Sequence, residues 1–339
     1  MDKVMMIAGG EYYYWKPVIL AIAALSAALM AVALRLRRGE KLLPLLVALP
    51  LGGALSVFFA RFIHWYCRFE SYDSLGAALR HLRGGGYSLI GVFIGMLLAF
   101  LIVRLLRLTD DLPALLDCAA PAAALGIAVG RFGDLLTTAD RGKMILENEA
   151  LRRLPYAAAV RNATSGAVEW RVATFCAQSI WAAVIFAILL LWMLLPRRRR
   201  MKQARWEDGN VFLLFMTLYC SGQIVTDSTR YDALFLRSNG FVSLEQIVCG
   251  VSVAAVLALL SARSIRTNGF RFRQVLLWLL FLAGLGLAGF MEYYVQRHGN
   301  EFVFAYGMMA EGLLISFCAV YATWLETTTL PPRKNMRSN

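Results

Sequence analysis

Long apolar runs recur from one end of this chain to the other, and they constrain its fold more than any other feature. The hydrocarbon core of a bilayer is about 30 Å thick, and a helix needs about 20 mostly apolar residues to cross it. Backbone polar groups exposed to lipid must be satisfied internally, so runs of this length predict helices. We predict nine membrane-spanning segments, at residues 17–36, 42–62, 87–108, 112–130, 174–196, 211–227, 242–262, 275–295 and 303–325.

The composition supports an integral membrane protein. Of the 339 residues, 59% are hydrophobic and only 17% are charged, against about 25% charged in a typical soluble domain. These values exclude a disordered chain, a collagen-like repeat and an ordinary cytosolic enzyme. The net charge of +13 would suggest nucleic acid for a soluble protein, but here it predicts loops that face anionic lipid headgroups, with no nucleic-acid partner. No cysteine–histidine spacing indicates a zinc site, so we expect neither a metal nor a cofactor.

The distribution of basic residues predicts the orientation of the bundle. Arginine-rich short loops, among them 35–41, 197–200 and 263–273, belong to one alternating set and should face the cytoplasm. The N-terminus then lies outside and the C-terminus inside the cell, as nine spans require. The segment 131–173 falls on the outer side, where it would form a small extracytoplasmic cap. The predicted fold class is an all-α polytopic integral membrane protein.

Ionisable residues in or beside the apolar segments are functional candidates, because a charge at membrane depth is costly. They occupy five places, four of which we place at the outer half or outer rim, and this shared depth predicts a common polar cavity on the outer side. A snorkelling or pairing role is the alternative for each residue alone. The five places are Arg61, Asp117, Arg131, Asp227 with Arg230, and Glu311.

Glycines cluster around the third and fourth segments, and their spacing permits two interpretations. Small residues at helical spacing allow close helix packing in membranes. They also allow backbone amides to approach the phosphate of a headgroup. Both interpretations stay open for Gly84, Gly85, Gly86, Gly91, Gly95, Gly126, Gly130 and Gly133.

Six short motifs in a fixed order resemble the signature of the prolipoprotein diacylglyceryl transferase family, over about residues 17–262. The most informative of them begins at Asp117-Cys-Ala-Ala-Pro121 and runs into Gly130-Arg131-Phe-Gly133-Asp134. The other motifs, in chain order, are Ala60-Arg61, the stretch Gly85 to Gly95 with Tyr87 and Ser88, Cys176 to Trp181 with Gln178, Gly209 to Arg230 with Phe215 and Tyr219, and Ser243-Leu-Glu245-Gln246.

The chain departs from the family pattern at about half of its polar positions. Ile90 stands where the family has a histidine, Gln223 where it has an arginine, and Asp134 where it has an asparagine. A further family acid falls on Ala139, with Asp140 next to it, and the acid at Asp227 is shortened from glutamate. The matching polar residues are Arg61, Asp117, Arg131, Gln178, Tyr219 and Arg230.

The resemblance implies a reaction and its partners. Family members transfer a diacylglyceryl group from phosphatidylglycerol to the thiol of a lipobox cysteine in a prolipoprotein, in the bacterial plasma membrane. Arg131 and Arg230 are the expected catalytic residues, because guanidinium groups suit a phosphate that departs with its charge. Asp134 and Asp227 would orient these arginines. The expected substrate-binding set is Arg61, Asp117, Gly130, Gly133, Asp134, Gln178, Tyr219 and Asp227.

The expected division is a seven-helix transferase-like domain at 1–262, which includes the cap at 131–173, followed by a two-helix extension and cytoplasmic tail at 263–339. Two other functions remain possible on these residues. The loss of several family polar groups fits a catalytically impaired lipid-binding relative or an accessory membrane protein. Glu311 within the ninth segment is the one feature that favours a lipid transporter.

Overall fold

A computed structural model of the chain describes residues 4–8, 11–80, 86–137, 140–145, 147–161, 166–194, 208–236, 240–297 and 302–329. Long helices dominate these residues, and two antiparallel hairpins accompany them. The strands are β1 (Val4–Ala8), β2 (Glu11–Tyr14), β3 (Ala157–Arg161) and β4 (Val168–Val172). The helices are α1 (Trp15–Arg37), α2 (Leu43–Cys67), α3 (Leu75–Arg80), α4 (Leu89–Leu105), α5 (Leu112–Phe132), α6 (Thr174–Leu194), α7 (Asn210–Ser228), α8 (Leu244–Asn268), α9 (Phe272–Arg297) and α10 (Phe302–Thr329).

The predicted fold class is confirmed: the chain is an all-α polytopic membrane protein. Within the described residues, eight helices are long and apolar enough to cross a membrane, and α4 is a shorter apolar helix. These nine helices coincide with the nine predicted segments. The ends differ most at the seventh segment, predicted to end at residue 262, because α8 continues to Asn268. The third segment is shorter than predicted, since α4 ends at Leu105 and the chain turns at Arg107, whose φ of 56° is left-handed. The orientation of the bundle in the membrane stays a prediction.

Helix α5 lies at the centre of the bundle. Its residues belong to both large apolar clusters, one formed with α1, α2 and α4 and the other with the helices from α6 to α10. It packs against α1, α6 and α7 along its length. It therefore lies between two groups of helices, and polar side chains near its two ends, Asp117 and Arg131, have different partners.

Glycines bring α4 and α2 into backbone contact. A Cβ atom at Gly91 would lie 2.3 Å from the backbone nitrogen of Ala60, and one at Gly95 would lie 2.3 Å from that of Ser56. Real Cβ atoms do not approach so closely, so both positions require glycine. The close-packing interpretation of these glycines therefore agrees with the structure.

Helices α9 and α10 form a tight pair at the end of the chain. A Cβ atom on Gly284 would lie 2.3 Å from the carbonyl oxygen of Gly312, which shows that the two backbones cross there. Helix α10 also packs against α7 and α8. The pair is therefore fixed to the remainder of the bundle through the two helices that precede it.

The predicted cap contains the β3–β4 hairpin and a short segment, 140–145, that joins the hairpin to the end of α7. The Gly142 amide donates to the carbonyl of Val172 at 2.8 Å, and the Lys143 amide donates to that of Thr229 at 2.7 Å. The Tyr231 amide donates to the carbonyl of Arg141 at 2.8 Å. These backbone bonds hold the first residues of the segment against the end of α7.

Candidate active site

Two arginines from distant parts of the chain meet on one carboxylate. Arg131 lies in the last turn of α5, and Arg230 follows the end of α7. The Nη1 atom of Arg131 pairs with Oδ2 of Asp140, and Nη2 of Arg230 lies 2.7 Å from Oδ1 of the same residue. Asp140 therefore bridges the two guanidinium groups that the sequence singles out as catalytic candidates.

The backbone places the Asp140 carboxylate between the arginines. Asp140 has a left-handed φ of 52°, its amide donates to the Asp232 carboxylate at 3.2 Å, and its carbonyl accepts from the Phe175 amide at 3.1 Å. Burial raises the pKa of this carboxyl, but Arg131 and Arg230 outweigh burial and hold its pKa well below its usual range. Asp140 is therefore an anion at neutral pH.

Three more carboxylates surround Arg230. Its Nη1 atom lies 3.0 Å from Oδ1 of Asp227 and 2.9 Å from Oε2 of Glu245, and its Nε lies 3.2 Å from Oδ1 of Asp232. Burial alone would lower the pKa of Arg230, but these acids and Asp140 raise it well above its ordinary value. Arg230 is therefore permanently charged and held from several sides.

Glu245 links the two arginines a second time. Its Oε1 atom lies 3.8 Å from Nη2 of Arg131, while its Oε2 contacts Arg230. The side chain of Glu245 is 13% exposed, whereas that of Asp227 is fully buried. Glu245 is therefore the more exposed of these two acids and contacts both guanidinium groups. We call the set Arg131, Asp140, Asp227, Arg230, Asp232 and Glu245 the ion-pair centre.

Several neutral polar groups lie around the ion-pair centre with unused hydrogen-bonding capacity. Tyr219 is buried, stacks on Phe215 with ring centroids 5.5 Å apart, and interacts electrostatically with Arg131 and Glu245. Within the part of the chain that the structure describes, its hydroxyl has no hydrogen-bond partner, nor do Oε1 of Gln178 and Nε2 of Gln223. Because buried polar atoms are nearly always satisfied, these three indicate a polar occupant or water.

Asp134 lies beside the ion-pair centre but pairs with another cation. Its Oδ1 atom is 3.4 Å from Nζ of Lys16 and accepts from the Thr137 hydroxyl at 3.1 Å. The carboxylates that contact Arg131 are those of Asp140 and Glu245. The expected orientation of Arg131 by Asp134 is therefore replaced by Asp140.

Asp117, a residue of the predicted substrate-binding set, lies at the other end of α5 from Arg131. Its carboxylate accepts from the amides of Gly209 at 2.8 Å and Phe212 at 2.9 Å, and thereby caps the beginning of α7. Fourteen positions along one helix separate it from Arg131, about 21 Å at 1.5 Å per residue. The Asp117 carboxylate therefore satisfies backbone amides at the beginning of α7 that have no partner within the helix.

Arg61 belongs to a separate polar cluster. It donates to the carbonyls of Ala78 and Gly86, both at 3.0 Å, and to the Tyr72 hydroxyl at 3.3 Å. The same hydroxyl lies 2.9 Å from Nδ1 of His64. These bonds join α2 to Tyr72, to α3 and to the residues that precede α4. The common polar cavity expected for the charges on the outer side stays a prediction.

The remaining predicted residues lie outside the ion-pair centre. A Cβ atom on Gly130 would make ordinary contact with Ala23 at 3.7 Å, and one on Gly133 would lie 2.3 Å from Cγ2 of Ile19. These glycines therefore pack α5 against α1. Glu311 is exposed on α10, and the described residues offer it no ion pair. Gly84 and Gly85 lie outside the described residues.

Three acids of the ion-pair centre, Asp140, Asp232 and Glu245, were missing from the predicted set. Asp140 is adjacent to Ala139, the position of the family acid, and Glu245 lies inside the motif Ser243-Leu-Glu245-Gln246. Buried arginines in an apolar chain require carboxylate partners, and this requirement is the signal that would have pointed to the acids near Arg131 and Arg230 in the sequence.

The fold and the site define a multi-pass membrane protein with a buried arginine–carboxylate centre at the junction of its helix bundle and cap. The family model described as prolipoprotein diacylglyceryl transferase matches residues 6–262. The chain belongs to this family. Helices α9 and α10 lie beyond the matched residues.

Curated relatives carry the same family name. The phosphatidylglycerol–prolipoprotein diacylglyceryl transferase of Clostridium kluyveri is 23% identical over 254 residues, which are 75% of this chain and 93% of the relative. The protein of that name from Shouchella clausii is 25% identical over 263 residues, 76% of this chain and 89% of the relative. That from Streptococcus pyogenes is 25% identical over 210 residues, 61% of this chain and 74% of the relative.

Proposed function

We propose that this protein transfers the diacylglyceryl group of phosphatidylglycerol to the cysteine thiol of a prolipoprotein signal peptide, in the bacterial plasma membrane. The observation that carries the proposal is the convergence of Arg131 and Arg230 on Asp140. Both arginines stand at family motif positions, and folding brings them together at the junction of bundle and cap. The proposal assigns catalysis to residues 1–262 and treats 263–339 as a separate extension.

The reaction forms one bond and breaks one. The sulfur of the lipobox cysteine attacks the glyceryl carbon that bears the phosphate ester, a carbon–sulfur bond forms, and the carbon–oxygen bond breaks. The electron pair leaves on the phosphate oxygen as glycerol phosphate, and the thiol proton passes to a base. The protein must therefore hold a phosphate, stabilise its growing charge and accept one proton.

Arg131 and Arg230 hold the phosphate in this proposal. Both guanidinium groups already point at carboxylate oxygens, and a phosphate likewise offers each of them a pair of acceptor oxygens. Asp140 keeps the two groups at a fixed separation while Glu245 gives way. The arginines are then pre-oriented, so little reorganisation is needed when negative charge develops on the leaving group.

Glu245 is the group best placed to take the thiol proton. In the resting site its two oxygens face Arg131 and Arg230. Once a phosphate occupies those arginines, the carboxylate is released from both and can accept the thiol proton. This coupling would supply a base in a chain that has Ile90 where the family has histidine.

The test is a transfer assay with purified protein, phosphatidylglycerol and a fluorescent lipobox peptide, in which the thioether product is measured by mass spectrometry. Arg131→Ala and Arg131→Lys should each reduce the rate by about 10²-fold or more, the usual effect of removing one charge-stabilising donor. Arg104→Lys is the matched control, since Arg104 pairs with the fully exposed Asp110.

A second candidate function is a lipid-binding relative without catalysis, and Gln223 favours it because it replaces a family arginine beside the ion-pair centre. This candidate predicts that wild-type protein forms no thioether with any phospholipid, although phosphatidylglycerol still co-purifies and Arg131→Ala reduces the amount bound. Product formation by the wild type contradicts it.

A further inference from the structure

Glu292 of α9, which lies outside the family-matched residues, contacts Gln246, the neighbour of Glu245 in the chain. It is buried, 3% exposed, and its Oε2 accepts from Nε2 of Gln246 at 2.9 Å. Its Oε1 accepts from Nε2 of Gln296 at 3.1 Å. Within the described residues Glu292 pairs with no basic side chain, and its two carboxyl oxygens accept from these side-chain amides. The surrounding side chains of Ile224, Val242 and Leu285 are apolar, and a hydrogen bond to a charged acceptor is strong in such surroundings.

Gln246 belongs to the structure that begins α8. The Ser243 hydroxyl accepts from the backbone N–H of Gln246 at 3.1 Å. The side-chain Oε1 of Gln246 accepts from the backbone N–H of Ser243 at 2.9 Å, and the two bonds make a capping box. A glutamine side chain has one end that accepts and one that donates. The carboxylate of Glu292 can only accept, so it requires the Gln246 NH₂ on its side and leaves the carbonyl oxygen for Ser243.

The capping box continues directly into the ion-pair centre. The Ser243 hydroxyl donates to Oδ2 of Asp227, and the other oxygen of Asp227 contacts Arg230. Glu245 lies between the two residues of the box. A contact from α10 reinforces the same place, where the Tyr306 hydroxyl donates to the carbonyl of Ser228 at 3.4 Å.

We propose that Glu292 is a positioning residue for the transfer reaction: it fixes the orientation of the Gln246 amide, and through Ser243 and Asp227 it holds Arg230 in register with the departing phosphate. The α9–α10 pair thus acts as a functional support of the site. This inference rests on the proposed function, but the structural link from Glu292 to the start of α8 is measurable without activity.

The experiment compares Glu292→Gln with Glu326→Gln in the full chain. Both changes neutralise a buried glutamate of the α9–α10 pair, but Glu326 contacts Ser264 and Asn268 at the far end of α8 and Arg273 at the beginning of α9. Hydrogen exchange is followed for a peptide that covers 243–246, and kcat and KM are measured in the transfer assay. Glu292→Asp, which keeps a carboxylate, is the conservative variant.

We expect Glu292→Gln to accelerate amide exchange at 243–246 and to lower kcat about tenfold, equal to about 1.4 kcal/mol, with KM for phosphatidylglycerol within about twofold. Glu292→Asp should lie between this variant and the wild type, and Glu326→Gln should leave exchange at 243–246 and kcat unchanged. In a double variant with Asp227→Asn, the Glu292→Gln change should lower kcat little further, because both changes act on the position of Arg230 through the same contacts.

The proposal is overturned if amide exchange at 243–246 in Glu292→Gln equals that of the wild type. It is also overturned if the double variant with Asp227→Asn loses kcat by the product of the two single effects. An inactive wild type is a failure of the proposed function and not of this link, because the exchange measurement then still decides whether Glu292 holds the start of α8. If Glu292→Gln does not fold, the exchange and kcat of Glu292→Asp decide in the same way.

Discussion

Asp140 is the residue on which the candidate site depends most. Asp140 and Glu245 both contact Arg131 and Arg230 in the described structure, but the side chain of Asp140 is only 5% exposed and that of Glu245 is 13% exposed. Two guanidinium groups placed near each other in a poorly hydrated interior repel, so the acid between them stabilises the folded state as well as orienting them.

Replacement of Asp140 by asparagine should therefore destabilise the protein by about 3 kcal/mol, the cost of leaving buried charges without their partner. Denaturant unfolding in detergent measures the change. Asp110→Asn provides the control, because Asp110 is fully exposed in its pair with Arg104, and it should unfold at the wild-type midpoint. Equal midpoints for Asp140→Asn and the wild type would contradict a structural role for the bridge.

The same contact predicts a pH dependence. Because the pKa of Asp140 lies below that of the unfolded chain, its stabilising contribution is complete above the unfolded value of about 3.9 and declines only as the pH falls below it. The difference in melting temperature between the wild type and Asp140→Asn should then stay constant from pH 8 to pH 5. A difference that shrinks within this interval would show that Asp140 titrates near neutrality.

Asp117 offers a test that separates capping from substrate binding. Its carboxylate serves the Gly209 and Phe212 amides at the start of α7, so Asp117→Ala should cost about 1–2 kcal/mol of stability. The transfer rate per folded molecule should remain at the wild-type level, since α5 separates the two ends by about 21 Å. A lost rate at unchanged stability would restore the substrate-binding interpretation.

At the scale of elements, the contact between α2 and α4 depends on two glycines. Gly95→Ala should destabilise the protein by about 2 kcal/mol or more, because the new Cβ would meet the backbone at Ser56 and force the helices apart. Gly53→Ala is the matched control on α2, where a Cβ meets nothing within 4 Å, and helix propensity favours it slightly. Melting temperatures in one detergent compare the two variants; a lower value for Gly53→Ala would contradict this packing.

The sequence predicts the helices well because lipid leaves few other structures for an apolar run. Even α7, which carries Gln223 and Asp227, lies where the pattern places it. The ends are less predictable, as α4 shows, because they depend on local turns such as that at Arg107. The β3–β4 hairpin was not predicted, since two strands of five residues leave no long periodic pattern.

The site was predictable only in part, for a physical reason. Arg131 and Arg230 stand out because a charge in an apolar chain is conspicuous by itself. The capping role of Asp117 could not be predicted in this way, because its partners are backbone amides that lie nearly a hundred positions later in the chain. Asp140 became recognisable only when the 140–145 segment was seen bound to the end of α7.

At the scale of the whole molecule, the orientation in the membrane is the main open prediction. A reporter inserted at Gly166, in the turn between β3 and β4, should be active as a phosphatase and inactive as a fluorescent protein. A reporter at the C-terminus should show the reverse, because the arginine-rich loops stay in the cytoplasm. The opposite pattern of activities would contradict the predicted orientation and would place the ion-pair centre on the cytoplasmic side.

The left-handed backbone at Asp140 has a consequence for how divergent relatives are compared. Column by column, this chain has an alanine where its family has an acid, and such a comparison would score the position as lost. The carboxylate is nevertheless present between Arg131 and Arg230, one residue later and turned back by a φ of 52°. For chains at this evolutionary distance, reactive groups are better compared by their positions in the folded site than by sequence position. When a family residue is missing, the adjacent residues should be examined before a protein is classed as a pseudoenzyme.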